Sequence, residues 1–229
     1  MIIVGDGDGD GDSKMLEMVS DCLAIIEKYE LGDVVRWILE NNPSQALPYH
    51  NFSHALWTAR YVDAIYQMEV GDTKPTPREL VVAALFHDFD HSGGFFTDDS
   101  QNIERAIAGL NRWFSASVEP TIRSEQLDSI AKLILETRYP FHTKSSNVES
   151  VCLRDADMMQ NCNDTLLANF VGIKQELYKY VSYADCIEKS LVFLRSVKYE
   201  SKYGKMYGDA GLKKAIYSLE HFQRLVFCK

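Results

Sequence analysis

Two short stretches, Tyr-His-Asn-Phe-Ser-His-Ala at Tyr49–Ala55 and Ala-Leu-Phe-His-Asp-Phe-Asp-His-Ser-Gly at Ala84–Gly93, decide how this chain is interpreted. They contain four of the six histidines of the chain, two in each stretch and four residues apart: His50, His54, His87 and His91. Four residues is just over one helical turn, so the spacing predicts that each pair shares one face of a helix. Imidazoles beside the carboxylate of Asp88 form a nitrogen and oxygen donor set that suits divalent metals.

Two later segments extend this donor set. Ile134–His142 carries a fifth histidine at the end of a predicted helix, and Leu153–Asp157 places two carboxylates on an apolar helix. His221 has no motif around it and is interpreted as an ordinary surface or core histidine. The donors therefore follow the order His, His-Asp, His, Asp along the chain.

This order resembles the HD metal-dependent phosphohydrolase superfamily, and the two quoted stretches are most similar to cyclic-nucleotide phosphodiesterases. The resemblance covers residues 49–157, which is under half of the chain. It implies an all-α fold, a helical bundle with a metal site between central helices. It also implies hydrolysis of a small-molecule phosphoester, a nucleotide or cyclic-nucleotide phosphodiester, by a metal-bound hydroxide.

The resemblance also assigns metal ligands. The direct ligands of a first metal would be His54, His87, Asp88 and Asp157. Asp88 would in addition bridge to a second metal, because the two oxygens of a carboxylate can face two cations. One or two divalent ions are therefore expected, and the donor types admit manganese, iron, zinc, magnesium, cobalt or nickel.

Three further residues receive roles from the same resemblance. His50 would donate a proton to the leaving group, and His91 would stand near the bridging water or join the second metal. His142 would lie at the water shell of the second metal or bind it directly. Asp155 has two interpretations, orienting a ligand or pairing with Arg154 or solvent; Asp157 is preferred as the ligand.

The chain departs from the phosphodiesterase pattern beyond the metal core. An asparagine normally follows His-Ser-Gly after a few residues, whereas here Asn102 comes later, and the purine-holding glutamine has no clear counterpart except Gln223. Two alternatives therefore stay open. One is a di-iron oxygenase with His142 as an additional ligand, and the other is a non-catalytic nucleotide or metal sensor.

The composition of the 229 residues fits one globular domain, predicted over residues 15–229 after a flexible acidic tail at 1–14. The formal charge of −9 argues against binding a nucleic-acid polymer. The five cysteines show no Cys-x-x-Cys pair, no apolar run approaches ~18 residues, and no secretory signal is recognised. We therefore expect a cytoplasmic protein without a membrane partner, and the oligomeric state stays open.

The tail has a second interpretation. Its aspartates and glycine match the calcium-loop pattern, with ligand positions at Asp6, Asp8, Asp10, Gly11 and Glu17. The entering segment is too short for a helix, and alternating glycine and aspartate matches such a pattern by chance. A disordered acidic tail is therefore the preferred interpretation, with a calcium site as the alternative.

Apolar spacing predicts helices throughout and no strand. The expected helices cover residues 15–29, 34–39, 53–67, 77–87, 101–114, 124–137, 150–161, 166–181, 186–197 and 212–227. Residues 92–100 and 198–211 are expected to be loops, the second because it is rich in tyrosine, glycine and lysine.

Overall fold

The computed structural model describes residues 20–71, 74–95, 98–118, 120, 122–141, 143–162 and 166–227. These residues form helices and connections without a strand, which confirms the all-α expectation for this part of the chain. The helices are α1 (20–28), α2 (Gly32–Asn41), α3 (Phe52–Val70), α4 (Arg78–Phe86), α5 (Ser100–Ala116), α6 (Leu127–Glu136), α7 (Val148–Met159), α8 (Leu166–Glu176), α9 (Tyr183–Ser196) and α10 (Asp209–Phe227).

Helix α4 lies at the centre of the fold. Its seven residues from 80 to 86 are all buried, which is typical of a helix that is enclosed on every side. It packs against α3, α6 and α7, and α3 packs in turn along α7. The chain leaves this buried helix directly into His87 and Asp88, so the candidate ligands start from a rigid element.

The histidine pairs do not each share a helix face, which corrects the expectation from their spacing. Helix α3 begins at Phe52 because the Asn51 side chain accepts hydrogen bonds from the backbone N–H groups of the first turn, so His50 precedes the helix. Helix α4 ends at Phe86, and the chain then turns through Asp90, whose φ of 61° lies in the left-handed region. His50 therefore lies before α3 while His54 lies within it, and His87 lies at the end of α4 while His91 follows the turn.

The loop expected at 198–211 is largely helical, so that prediction was wrong. A wide turn of π-helix, Gly204–Gly208, continues into α10. The buried carboxylate of Asp155 accepts hydrogen bonds from the backbone N–H groups of Glu200 and Ser201, which fixes the start of this segment. This partner lies 45 residues away along the chain. Local composition could not reveal it.

Helix α8 ends at Glu176, five residues before the predicted end at Val181. Residues 177–182 instead connect to α9, whose first turn is capped by the Ser182 hydroxyl accepting from the backbone N–H of Asp185. No helix among the described residues has the length and apolar character needed to cross a membrane. His142 and the proposed calcium tail lie outside the described residues, and so does the predicted boundary at residue 14.

Candidate metal centre

Four predicted ligands converge on one buried point. His54 comes from α3, His87 and Asp88 from the turn after α4, and Asp157 from α7. Each offers one donor atom, and these atoms all lie within 4.8 Å of one another. The His54 and His87 side chains are 2% and 1% exposed, so a charge placed between them is shielded from water.

The distances between these donor atoms fit a shared cation. His54 Nε2 lies 3.2 Å from His87 Nε2, 3.1 Å from Asp88 Oδ2 and 3.1 Å from Asp157 Oδ1. His87 Nε2 lies 3.2 Å from Asp88 Oδ2 and 3.4 Å from Asp157 Oδ1. Donors about 2.1 Å from one ion stand about 3.0–3.4 Å apart in octahedral or tetrahedral geometry. The residues present therefore fit a divalent metal with two nitrogen and two oxygen donors.

The surrounding groups orient the two imidazoles. His87 Nδ1 lies 2.8 Å from the carbonyl oxygen of Ala84, which can only accept, so Nδ1 carries a proton and Nε2 is the ring nitrogen that faces the cluster. The side-chain amide of Gln160 contacts both Nδ1 and the backbone oxygen of His54, at 2.8 and 2.9 Å. Both rings are thus held with Nε2 facing the carboxylates.

The cluster is electrically balanced. Burial lowers the pKa of His54, but Asp157 and Asp88 outweigh burial and raise this pKa to about 9. Burial also lowers the pKa of His87, but Asp88 and Asp157 outweigh burial and raise this pKa well above its usual range. The pKa of Asp157 falls to about 2, because the imidazoles overcome the effect of burial. Two imidazolium protons thus balance two carboxylates, and one divalent cation can replace both protons without changing the net charge.

A second cluster brings together His50, His91 and Glu176. The two imidazole rings are stacked, with centroids 3.8 Å apart. Glu176 Oε1 lies 2.5 Å from His50 Nδ1 and 3.4 Å from His91 Nδ1. The predicted catalytic histidines therefore stack on each other, and the His50 ring also contacts His54 edge-on, with centroids 5.7 Å apart.

Glu176 is a functional candidate that the sequence did not reveal. Its side chain is 0% exposed, and Oε2 accepts hydrogen bonds from the backbone N–H groups of Tyr49 (2.9 Å) and His50 (3.1 Å). The His50 and His91 contacts overcome burial and hold the pKa of this carboxyl well below its usual range. It stands 126 residues from His50, at the end of an unremarkable helix, so no local pattern could have identified it.

The environment of His50 contains opposing influences. Burial and the stacked His91 lower the pKa of His50, whereas Asp88 raises it. The pKa of His50 is lowered overall, because burial is the largest effect. Glu176 accepts at Nδ1, so Nε2 is the ring nitrogen left to exchange a proton with a ligand. A lowered pKa makes the protonated ring a stronger acid.

A cavity of about 440 Å³ opens onto both clusters. His50, His87, His91, Asp88 and Asp157 form one end of it. Much of the remaining lining is apolar and comes from α8, α9 and α10. A volume of this size fits a small organic ligand, whose reactive group would face the clusters.

Three side chains considered in the sequence lie elsewhere. Asp155 neither orients a ligand nor pairs with Arg154, because its carboxylate is used by the 200–201 backbone. Arg154 instead binds Glu136, at 2.5 Å. Gln223, the candidate base-holding residue, lies outside the cavity and donates to Glu188 on α9.

Asn102 lies at the cavity and accepts a hydrogen bond from the backbone N–H of Ser92, at 3.0 Å. It thereby supports the turn that follows His91. No protein-family model matches the chain.

Proposed function

We propose that the protein is a metal-dependent phosphohydrolase of the HD type that cleaves a phosphoester in the cavity. The observation that carries the proposal is the convergence of His54, His87, Asp88 and Asp157, whose order in the chain resembles that superfamily, at one end of a ligand-sized cavity. A single phosphate ester bound there would place its charged group toward the ligand set and its organic group toward the apolar walls.

A divalent cation at this ligand set supplies neutralisation of the phosphate charge and acidification of water. The chain itself has to hold that cation, and contacts with Ala84 and Gln160 position the two buried imidazoles with Nε2 toward the carboxylates. The negative charge of Asp88 also acts to raise the pKa of His50. It therefore links the ligand set electrostatically to the second cluster.

His50 is proposed as the proton donor to the leaving oxygen. Glu176 holds Nδ1 of its ring and also binds the backbone N–H of the same residue, so both the ring and the chain around it are fixed. Nε2 then gives the proton to the leaving group, and a negative partner at Nδ1 stabilises the charged form of the ring before transfer. His91 stacks on the ring and limits its rotation.

The test combines metal analysis of the purified protein with a screen of phosphoesters, each assayed with manganese, iron, cobalt, nickel, zinc and magnesium. We expect bound metal and release of an alcohol or phenol from a phosphomonoester or phosphodiester. Oxygen uptake is measured in parallel on the iron-loaded protein. Oxygen consumption coupled to substrate cleavage, without ester hydrolysis, would overturn the proposal in favour of an oxygenase. Tight nucleotide binding without turnover would favour a sensor.

A further inference from the structure

We propose that the cavity selects phosphoesters with a single phosphoryl group on an uncharged apolar or aromatic group, and discriminates against di- and triphosphates. The inference rests on the proposed function and concerns the side chains that a second phosphate would meet. Proteins usually bind such a phosphate with arginine, lysine or a free helix N-terminus. The described residues that line the cavity include neither an arginine nor a lysine.

No lysine or arginine lines the cavity among the described residues. The internal residues outside the described ranges, at 72–73, 96–97, 119, 121, 142 and 163–165, include no lysine or arginine either. Three cations on neighbouring helices have partners of their own. Arg154 binds Glu136, Arg105 binds Asp90, and Lys174 lies over the Tyr183 ring.

The N-terminus of helix α5 already has an acidic partner. Helix α5 begins beside the cavity wall at Asn102 and Ile103. Asp98 accepts a hydrogen bond from the backbone N–H of Ser100, and Asp99 accepts from the side chain of Asn102 and from the backbone N–H of Tyr139. Asp99 itself lines the cavity. A second phosphate near this helix would meet a carboxylate instead of a free N–H group.

The remaining walls suit an uncharged group. Apolar side chains of α8, α9 and α10 line part of the cavity: Leu166, Phe170, Ile173, Phe193, Leu194 and Leu219. Burying a charged phosphate against such side chains has a large desolvation cost, whereas an aromatic or aliphatic group gains from leaving water. The 440 Å³ volume holds one such group beside a single phosphoryl group.

The test measures equilibrium binding, separately from turnover, at a fixed free manganese concentration. The probes are adenosine monophosphate and the non-hydrolysable α,β-methylene analogue of adenosine diphosphate. We expect the second phosphate to weaken binding by at least about tenfold in the wild-type protein, because the described residues lining the cavity include no lysine or arginine to compensate its charge. Equal or tighter binding of the diphosphate analogue would overturn the inference.

Two lysine variants, one inside the cavity and one outside it, test the charge argument directly. Ser190 lines the cavity on α9, whereas Val192 on the same helix is 66% exposed. Ser190→Lys is expected to reduce the ratio of the two dissociation constants, diphosphate analogue to monophosphate, by about tenfold. Val192→Lys adds the same charge outside the cavity and is expected to leave this ratio unchanged. An unchanged ratio in Ser190→Lys would contradict the charge argument, and the wild-type comparison stands alone if that variant does not fold.

Hydrolysis of bis(4-nitrophenyl) phosphate is followed on the same samples. Ester hydrolysis together with equal affinity for both adenosine ligands would refute the selectivity alone. Absence of hydrolysis of any ester would refute the proposed function, whatever the two affinities are.

Discussion

Replacing Glu176 tests the part of the site that only the structure reveals. Its Oε2 accepts two backbone N–H groups, and its Oε1 faces two imidazoles, all in a side chain without solvent exposure. Glu176→Ala leaves these buried donors without an acceptor, and each unsatisfied buried donor lowers the unfolding free energy by about 1–3 kcal/mol. Glu176→Gln keeps one oxygen for the backbone N–H groups, so it should cost only about 1–2 kcal/mol of unfolding free energy.

The glutamine variant should also change the chemistry. It removes the negative charge that stabilises the protonated form of His50, so the pKa of His50 falls further below its ordinary value. Activity that needs the protonated ring is lost as pH rises through that pKa, so the alkaline limb of the rate profile should move to lower pH. We expect kcat at neutral pH to fall by about 10- to 100-fold on an alkyl phosphoester.

The assay compares urea unfolding, metal content and the pH dependence of kcat for the wild type, Glu176→Gln and Glu104→Gln. Glu104 is an exposed residue of α5 and provides the matched control. Metal bound by His54, His87, Asp88 and Asp157 should be unchanged in all three proteins, because Glu176 belongs to a separate group with His50 and His91, which could also hold an ion. Loss of this metal in Glu176→Gln, or an unaltered pH profile with full activity, would refute the proposed orienting role.

Three further predictions concern other residues. His50→Ala should keep metal near the wild-type level and lower kcat by about 10²–10⁴-fold, with a much smaller loss on a nitrophenyl ester, which needs little protonation; an equal loss on both esters would contradict a proton donor. Metal binding at pH 7 should release about two protons, because the carboxylates raise the pKa of His54 to about 9 and that of His87 well above its usual range. Calorimetry in buffers of different ionisation enthalpy measures the number of protons released. Metal affinity should also rise from pH 7 to pH 9, and a metal affinity that does not depend on pH would contradict this release of protons. Asp155→Ala should lower the unfolding free energy by about 2–4 kcal/mol, because two backbone N–H groups lose their acceptor, and should leave metal content unchanged; lost metal would mean that Asp155 supports the ligand set.

The sequence predicted the helical class and the positions of the main helices, because apolar periodicity is a local property. It also identified the four residues that meet in the candidate metal cluster. It did not predict how the histidines pair. Spacing alone placed His50 with His54, but the cap at Asn51 and the turn at Asp90 separate the members of each pair. Capping and turn geometry decide this arrangement, and periodicity does not report them.

Contacts between distant segments account for what the sequence missed. Glu176 reaches His50 across 126 residues, and Asp155 reaches Glu200 across 45. In both cases a buried carboxylate finds backbone donors that become its neighbours only after the helices have packed. A lone acidic residue on a helix has many possible partners in sequence, so its role emerges only from the fold.

The most direct test of the central claim is a parallel measurement of bound manganese and of bis(4-nitrophenyl) phosphate hydrolysis in the wild type and in Asp88→Ala. The exposed Asp128→Ala, on α6, is the matched control. The account predicts metal binding and turnover in the wild type and in the control, and loss of both in Asp88→Ala with an unchanged far-ultraviolet circular dichroism spectrum. Full metal content and full turnover in Asp88→Ala would contradict it.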